Sequence, residues 1–326
     1  MIKDTGQNNA VTMELNAAIV TVQEETPQVL AIRQKSNTAD AAFGLPYGPF
    51  VPDEDRTLEI GLRRWVKDQA HIDLGYVEQL YTFGDRGRHS DRKNPDRFVS
   101  VGYLALVERD TDVVPGEAEW RSWYEFFPWE DHRDTFPPMI EDTIRPALQH
   151  WAETAPSPHI QSQREARIRL CFGDENVIWD DEKILERYEL LYEADLVFEA
   201  GRDHPSTVSE SDVALGAPML FDHRRILATA MGRLRGKLKY RPVVFEIMPE
   251  TFTLLELQRT VEAVAGLLLH KQNFRRLVAN SGLVDDTGQL STQTGGRPAQ
   301  LFRFRREVLE ERNAPGMRLP SLKGRR

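Results

Sequence analysis

Residues 253–282 read TLLELQRTVEAVAGLLLHKQNFRRLVANSG. Thr253 followed by Glu256 is a capping box: the threonine oxygen takes an early helix N–H and the glutamate reaches back to the cap. It opens a helix over Leu254–Ala265. Gly266–Leu269 is a tight turn, and His270–Ser281 reads as a second helix stopped by Gly282, the residue expected of a left-handed cap. In that second helix Phe274, Leu277 and Val278 share one face, while Lys271, Gln272, Asn273, Arg275 and Arg276 fall on the other. Strand-like runs near Gly282–Val284 and Gln300–Arg305 then flank the loop DDTGQLSTQTGGRPA.

Helix, short turn, helix and basic hairpin is the organisation of a winged helix-turn-helix. Arginine and asparagine can read base edges bidentately, and lysine can neutralise phosphate. Lys271, Gln272, Asn273, Arg275 and Arg276 are therefore the predicted DNA-contacting residues. Arg297, in the wing tip Gly295-Gly296-Arg297-Pro298, joins them at or near the minor groove. The competing reading is a basic module that docks on an acidic protein partner.

Charge supports the nucleic-acid reading. Residues 230–326 carry 18 Lys+Arg and 9 Asp+Glu, a net of +9; the preceding part carries 24 and 42, a net of −18. Such a split points to a basic module aimed at a polyanion and carried by an acidic body. At 326 residues the chain has room for two domains. Its single cysteine, Cys171, excludes an intramolecular disulfide and a cysteine-rich zinc site, and fits a reducing cytoplasm. The polar start MIKDTGQNNAVT gives no secretory signal, and no run of about 18 apolar residues could span a membrane.

Outward from the basic module, Phe221–Leu238 reads as a helix capped by Asp222, with Arg224, Arg225, Arg233 and Arg235 on its polar side. Pro242–Met248 reads as a strand and Asp181–Glu199 as one amphipathic helix. Ile140–Thr154 looks helical despite Pro146. Leu15–Val22 and Val29–Arg33 form a predicted hairpin. Thr57–Gln69 has helical spacing, and Gly75–Phe83 and Phe98–Val107 are strand-like around the loop GDRGRHSDRKNPDR. Cys171, Trp65, Trp120, Trp123 and Trp129 read as packing residues, and His71 and His223 as cap or surface residues. No histidine pair has metal-ligand spacing, and neither a GxSxG elbow nor a GxxxxGK[ST] loop is present.

LPYGPF at 45–50, an acidic loop and an amphipathic helix resemble a Nudix box. Gly48 and Glu54 keep the first spacing of that box, and Arg63 stands, one residue late, where its helix arginine belongs. Arg64 replaces the next glutamate, Lys67 and Asp68 occupy the two metal-binding glutamate positions, and Ala70 replaces the final glycine. Hard oxygen ligands are what Mg²⁺ requires, so the cations remove the charge that would hold it. On the box alone, a plain capped loop and helix reads as well.

Further resemblances shift that balance. EQLYTFGD and VSVGYLALV are similar to the core strands of Nudix proteins acting on ADP-ribose. Phe221-Asp222-His223, LRGKL at 234–238, PETFT at 249–253, NFRR at 273–276 and GRPA at 296–299 resemble the C-terminal half of Nudix-related transcriptional regulators of NAD metabolism. The pre-box loop, the degenerate box and a Trp/Pro-rich insertion resemble their alphaproteobacterial branch.

The resemblance implies an α/β Nudix-like sandwich over 13–205 with an insertion at about 110–175. A linker region and connecting helix over 206–240, a winged helix over 241–312 and a tail from 313 follow. It implies a repressor of NAD biosynthesis genes that needs no cofactor and no metal and has no catalytic residue. It would bind a palindromic duplex operator as a cytoplasmic homodimer. The effector would be NAD, ADP-ribose or ATP, and Arg33, Phe83, Arg86 and Tyr103 are the expected nucleotide contacts. The alternatives are an active hydrolase using Glu54, Glu59 and Asp68 as a metal site, and an adaptor that binds no DNA.

Overall fold

In the computed structural model the described residues are 11–33, 43–85, 97–108, 118–203, 214–291 and 298–309. Arg86 and Arg297 lie outside them.

The first sheet is built around β1 (Val11–Gln23), buried without a break from Glu14 to Val22. A strand covered on both faces reads as a continuous apolar run rather than an alternating one. β2 (Thr26–Arg33) pairs with β1 as the predicted hairpin. β3 (Phe43–Gly44) extends β2, and β4 (Tyr47–Pro49) pairs with the N-terminal half of β1.

After α1 (Leu58–Ala70) come β5 (Tyr76–Phe83) and β6 (Arg97–Leu106). β6 runs parallel to β1 with Asn16 opposite Gly102 and Ala18 opposite Leu104. β7 (Ala118–Ser122) pairs with β2. The result is a mixed seven-stranded sheet with the path β3-β2-β1-β6-β5.

Side chains alternate across β1. Leu15, Ala17 and Ile19 pack with Leu62, Val66 and Ala70 of α1. Ala18 and Val20 belong to the opposite core, with Phe83, Leu104 and the helices that follow.

Those helices are α2 (Trp123–Phe126), α3 (Arg145–Glu153), α4 (Pro158–Phe172), α5 (Ile184–Glu193), α6 (Phe198–Asp203) and α7 (His223–Tyr240). A π turn over Ile140–Ile144 leads into α3, placing Pro146 at the start of the helix proper, where its missing N–H costs least. Trp123, Trp129 and Cys171 are buried as expected, whereas Trp65 and Trp120 are only half-buried.

Beside β9, which runs Val284–Ser291 into the stretch read as a loop, three elements depart from the sequence reading. The helix expected over Asp181–Glu199 is two helices, because Asp195 takes a left-handed conformation (φ 56°) and the Leu196 N–H closes the end on the Leu191 carbonyl. The strand expected over Pro242–Met248 is a 3₁₀ turn, Val243–Glu246, with Phe245 stacked on Phe304 at 4.3 Å. A short apolar run does not by periodicity distinguish the two. Third, Arg224 and Arg235 of α7 are buried, leaving only Arg225 and Arg233 of the four on its outer side, and the helix fills the core between the sheet and α5.

The C-terminal module consists of β8 (Thr251–Thr253), α8 (Leu254–Ala265), α9 (Lys271–Ser281), β9 (Val284–Ser291) and β10 (Ala299–Phe304). β8, β10 and β9 make one antiparallel sheet. The capping box forms as read, and Gly266 and Gly282 adopt left-handed caps.

Candidate functional site

Beside the apolar packing of α1 on the sheet, polar contacts fix the box region. The Gln69 side chain accepts from the Tyr47 N–H (3.1 Å) and donates to the Tyr47 carbonyl (2.7 Å), pinning β4 to α1. The Trp65 indole donates to the Pro49 carbonyl at 2.8 Å. A Cβ on Gly48 would sit 2.2 Å from the Trp65 ring, so this close approach requires glycine.

Asp55, Glu54 and Glu59 around the box face arginines. Asp55 is buried and receives a bidentate pair from Arg64 (3.0 and 2.9 Å) and the Val51 N–H (3.1 Å). The hydrogen bond from Arg64, more than its charge, holds the Asp55 carboxyl below the usual carboxylate range. Glu54 is exposed with Arg64 3.8 Å away, Glu59 takes two hydrogen bonds from Arg63, and Lys67 pairs with Asp73 at 2.6 Å. Arg63 also donates to the Gly75 carbonyl, closing the C-terminal end of α1. Asp68 is exposed on the same helix. Each cation standing at a box position satisfies a neighbouring carboxylate or carbonyl.

The expected nucleotide contacts do not converge. Tyr103 faces α1, where burial raises its hydroxyl pKa, whereas Phe83 packs on the α7 side. Arg33 is exposed at the end of β2, 3.4 Å from Glu119 and over the Phe43 ring.

What gathers on the α7 side was not foreseen. Asn16, in the middle of the apolar run LNAAIVTV, is fully buried opposite Tyr47 and Gly102. His223, read as a cap or surface residue, is buried as the first residue of α7, with its ring 5.0 Å from Tyr47. A polar residue inside an apolar strand was the one available signal for this cluster.

The C-terminal module presents the face read from sequence. Lys271, Gln272, Asn273, Arg275 and Arg276 are exposed, while Phe274 and Val278 are buried. Among the described residues, none of Lys271, Arg275 and Arg276 makes an ion pair, so their charge is available to a ligand. The module is anchored to the body. The Tyr124 hydroxyl donates to the Ala263 carbonyl (2.8 Å), Arg235 to the Val264 carbonyl (3.0 Å), and the His132 N–H to the Gly266 carbonyl (2.8 Å).

Residues 244–304 match the NrtR DNA-binding winged helix domain. The ADPR responsive transcriptional repressor NtrR of Acinetobacter baylyi is 44% identical over 91 residues, which cover 28% of this chain and 36% of that protein. The chain therefore spans about a third of the curated relative it matches. Among solved structures, Shewanella oneidensis NrtR complexed with a 27mer DNA superposes with a TM-score of 0.55 at 20% identity. That superposition covers 90% of this chain and 93% of that one. A MutT/nudix family protein from Enterococcus faecalis gives 0.53 at 14% identity, covering 93% and 90%. At these identities the likeness is one of fold: an α/β Nudix-like domain followed by a winged helix-turn-helix.

Proposed function

We propose that this chain, a Nudix-type domain joined to an NrtR-type winged helix, is a transcriptional repressor of NAD biosynthesis genes whose Nudix-type domain senses an NAD-related adenine nucleotide. The observation that carries this reading is the exposed face Lys271, Gln272, Asn273, Arg275 and Arg276 on a helix seated by Phe274 and Val278. The Acinetobacter relative, described as an ADPR-responsive repressor, favours ADP-ribose over NAD or ATP as the effector. The pre-box loop and the insertion support the alphaproteobacterial branch. The protein would act in the cytoplasm as a homodimer, its two recognition helices meeting half-sites about 34–36 Å apart or a multiple of that. Arg33 and Phe83 remain proposed nucleotide contacts.

The test is a gel shift on duplex DNA from upstream of NAD biosynthesis genes, titrated with ADP-ribose, NAD and ATP. Arg275→Ala or Arg276→Ala is expected to weaken specific binding by about 1–3 kcal/mol if the side chain reads a base. Lys271→Ala is expected to lower the salt slope by about one, as loss of a phosphate contact does. Unchanged affinity in all three variants would turn the reading toward a protein-docking adaptor.

The Nudix-type box, in this reading, binds without hydrolysing. Arg64 and Lys67 stand at carboxylate positions and Glu54, Asp55 and Glu59 face arginines, so ADP-ribose incubated with Mg²⁺ or Mn²⁺ is expected to stay intact, followed by chromatography of the nucleotide. Turnover abolished by Glu54→Gln would reverse this and favour the hydrolase.

Regulation requires that effector and DNA prefer different states of the dimer. The two affinities are then coupled reciprocally, typically by about 1–3 kcal/mol. The helix α7 is the connecting part, since its first residue lies beside the sheet and Arg235 holds the end of α8.

A further inference from the structure

Among the described residues, Asn16 is the one side chain whose donor and acceptor are both buried and both without a hydrogen-bond partner. A buried carboxamide in that state destabilises the fold, because each unmade hydrogen bond leaves a desolvation penalty uncompensated. Such a group calls for a partner from outside the protein, an ordered water or a ligand.

The surroundings say what use this one has. Asn16 faces the α7 side, beside Gly102, where a Cβ would lie 3.0 Å from Ile226 of α7 and 3.3 Å from the Phe83 ring. Across the β1–β4 ladder its neighbour is Tyr47, half-buried, whose ring meets His223 at 5.0 Å and Phe221 at 5.7 Å in edge-on contacts. The Leu45 N–H donates to His223 Nδ1 at 3.0 Å, so that nitrogen is an acceptor and the ring proton sits on Nε2. Asn16 through the strand ladder and His223 through its ring thus both flank Tyr47, and the Tyr47 and Phe221 rings are partly exposed. A flat heterocycle with a donor and an acceptor on one edge fits this set. An asparagine amide matches the adenine edge in that way, one hydrogen bond given and one accepted.

We propose that Asn16 reads the adenine edge of the effector, with Tyr47 and Phe221 as its aromatic walls and His223 as a further donor. The proposal rests on the sensor reading above and deepens it. It also gives the sensed base a direct route to the DNA-binding module. His223 opens α7, and three turns further along the same helix Arg235 donates to the Val264 carbonyl at the end of α8. A base that draws on His223 acts on the helix that seats the recognition module.

The test is calorimetric titration of the full chain with ADP-ribose and with its 6-deamino analogue, which carries purine in place of adenine and lacks the amino donor. Wild type is expected to bind ADP-ribose at least about tenfold more tightly than the analogue, the ratio one well-placed hydrogen-bond contact supplies. Asn16→Leu, close in size, is expected to bring that ratio near one.

The same variant is expected to raise the melting temperature of the unliganded protein by about 2–4 °C, since it removes an unsatisfied buried amide. A purely structural asparagine would instead lower it. Were Asn16→Leu to misfold, the structural role would stand and the proposal would fall. Tyr47→Leu gives an independent reading, with ADP-ribose expected to bind at least about tenfold more weakly. ADP-ribose that binds wild type but discriminates equally in Asn16→Leu would overturn the proposal and leave the sensor intact. No binding of ADP-ribose to wild type would overturn both.

Discussion

Glu130→Ala is expected to cost about 3–5 kcal/mol of stability, the range for removing one partner of a buried ion pair. Glu130 is fully buried between two arginines that are themselves buried. Arg187 donates to both carboxylate oxygens (2.6 and 3.0 Å) and Arg235 to one of them (2.9 Å). Burial alone would raise the Glu130 pKa, but the two guanidinium charges outweigh it and hold the carboxyl below its usual range. Without the carboxylate, two guanidinium groups stay in the core with only neutral acceptors: the Cys171 and Asp180 carbonyls for Arg187, and the Asp181, Val264 and Glu130 carbonyls and the Tyr124 hydroxyl for Arg235.

Urea unfolding measures the cost as a fall in midpoint at unchanged slope. A loss below about 1 kcal/mol would mean that water reaches the triad and screens it. Replacing all three by apolar residues of matching volume is expected to recover much of the loss, since the uncompensated charges go with them.

The triad also explains why the C-terminal module is not a pendant head. Arg235 binds the end of α8 and the carboxylate and carbonyl of Glu130 at once. Gly266, left-handed at φ 71°, lets the turn come so close that a Cβ there would lie 2.5 Å from the Glu130 carbonyl and 2.7 Å from Arg235. Any side chain at Gly266 would force this contact between the module and the body to shift. The segment carrying Tyr124, Glu130 and His132 therefore supplies the socket for the winged-helix module.

Legibility followed the locality of the signal. Capping box, the left-handed cap at Gly282 and the split of Phe274 and Val278 from Lys271, Arg275 and Arg276 are short-range features, and each appears in the structure where the sequence put it. The central strands were readable because burial on both faces leaves an apolar run. The interior charges were not. Arg224 and Arg235 follow ordinary polar spacing along α7, and only long-range partners, Glu199 and Glu130, turn them inward. The expected nucleotide residues failed to gather for the opposite reason: Phe83 and Tyr103 are both apolar strand positions, and the parity that sends them to opposite faces depends on an irregular β5–β6 register.

Glu14→Gln is expected to stabilise the protein by about 2–3 kcal/mol at pH 8 and to change little at pH 4. Glu14 is buried in β1 opposite Ser100, and burial pushes its carboxyl up from an ordinary 4.5 to about 7. The sign follows from proton counting. Between those two values the folded chain keeps a proton that the unfolded chain releases, so stability falls as pH rises through that window. Below it both states are protonated and glutamine mimics the acid. Above it the folded state carries a buried charge that glutamine lacks. Taking wild type minus variant at each pH cancels titrations elsewhere, provided they do not couple to Glu14. Urea midpoints of the two proteins from pH 4 to pH 8 should diverge steadily and then run parallel above about pH 7. A difference independent of pH would show that the carboxyl titrates normally and that solvent reaches the N-terminal half of β1.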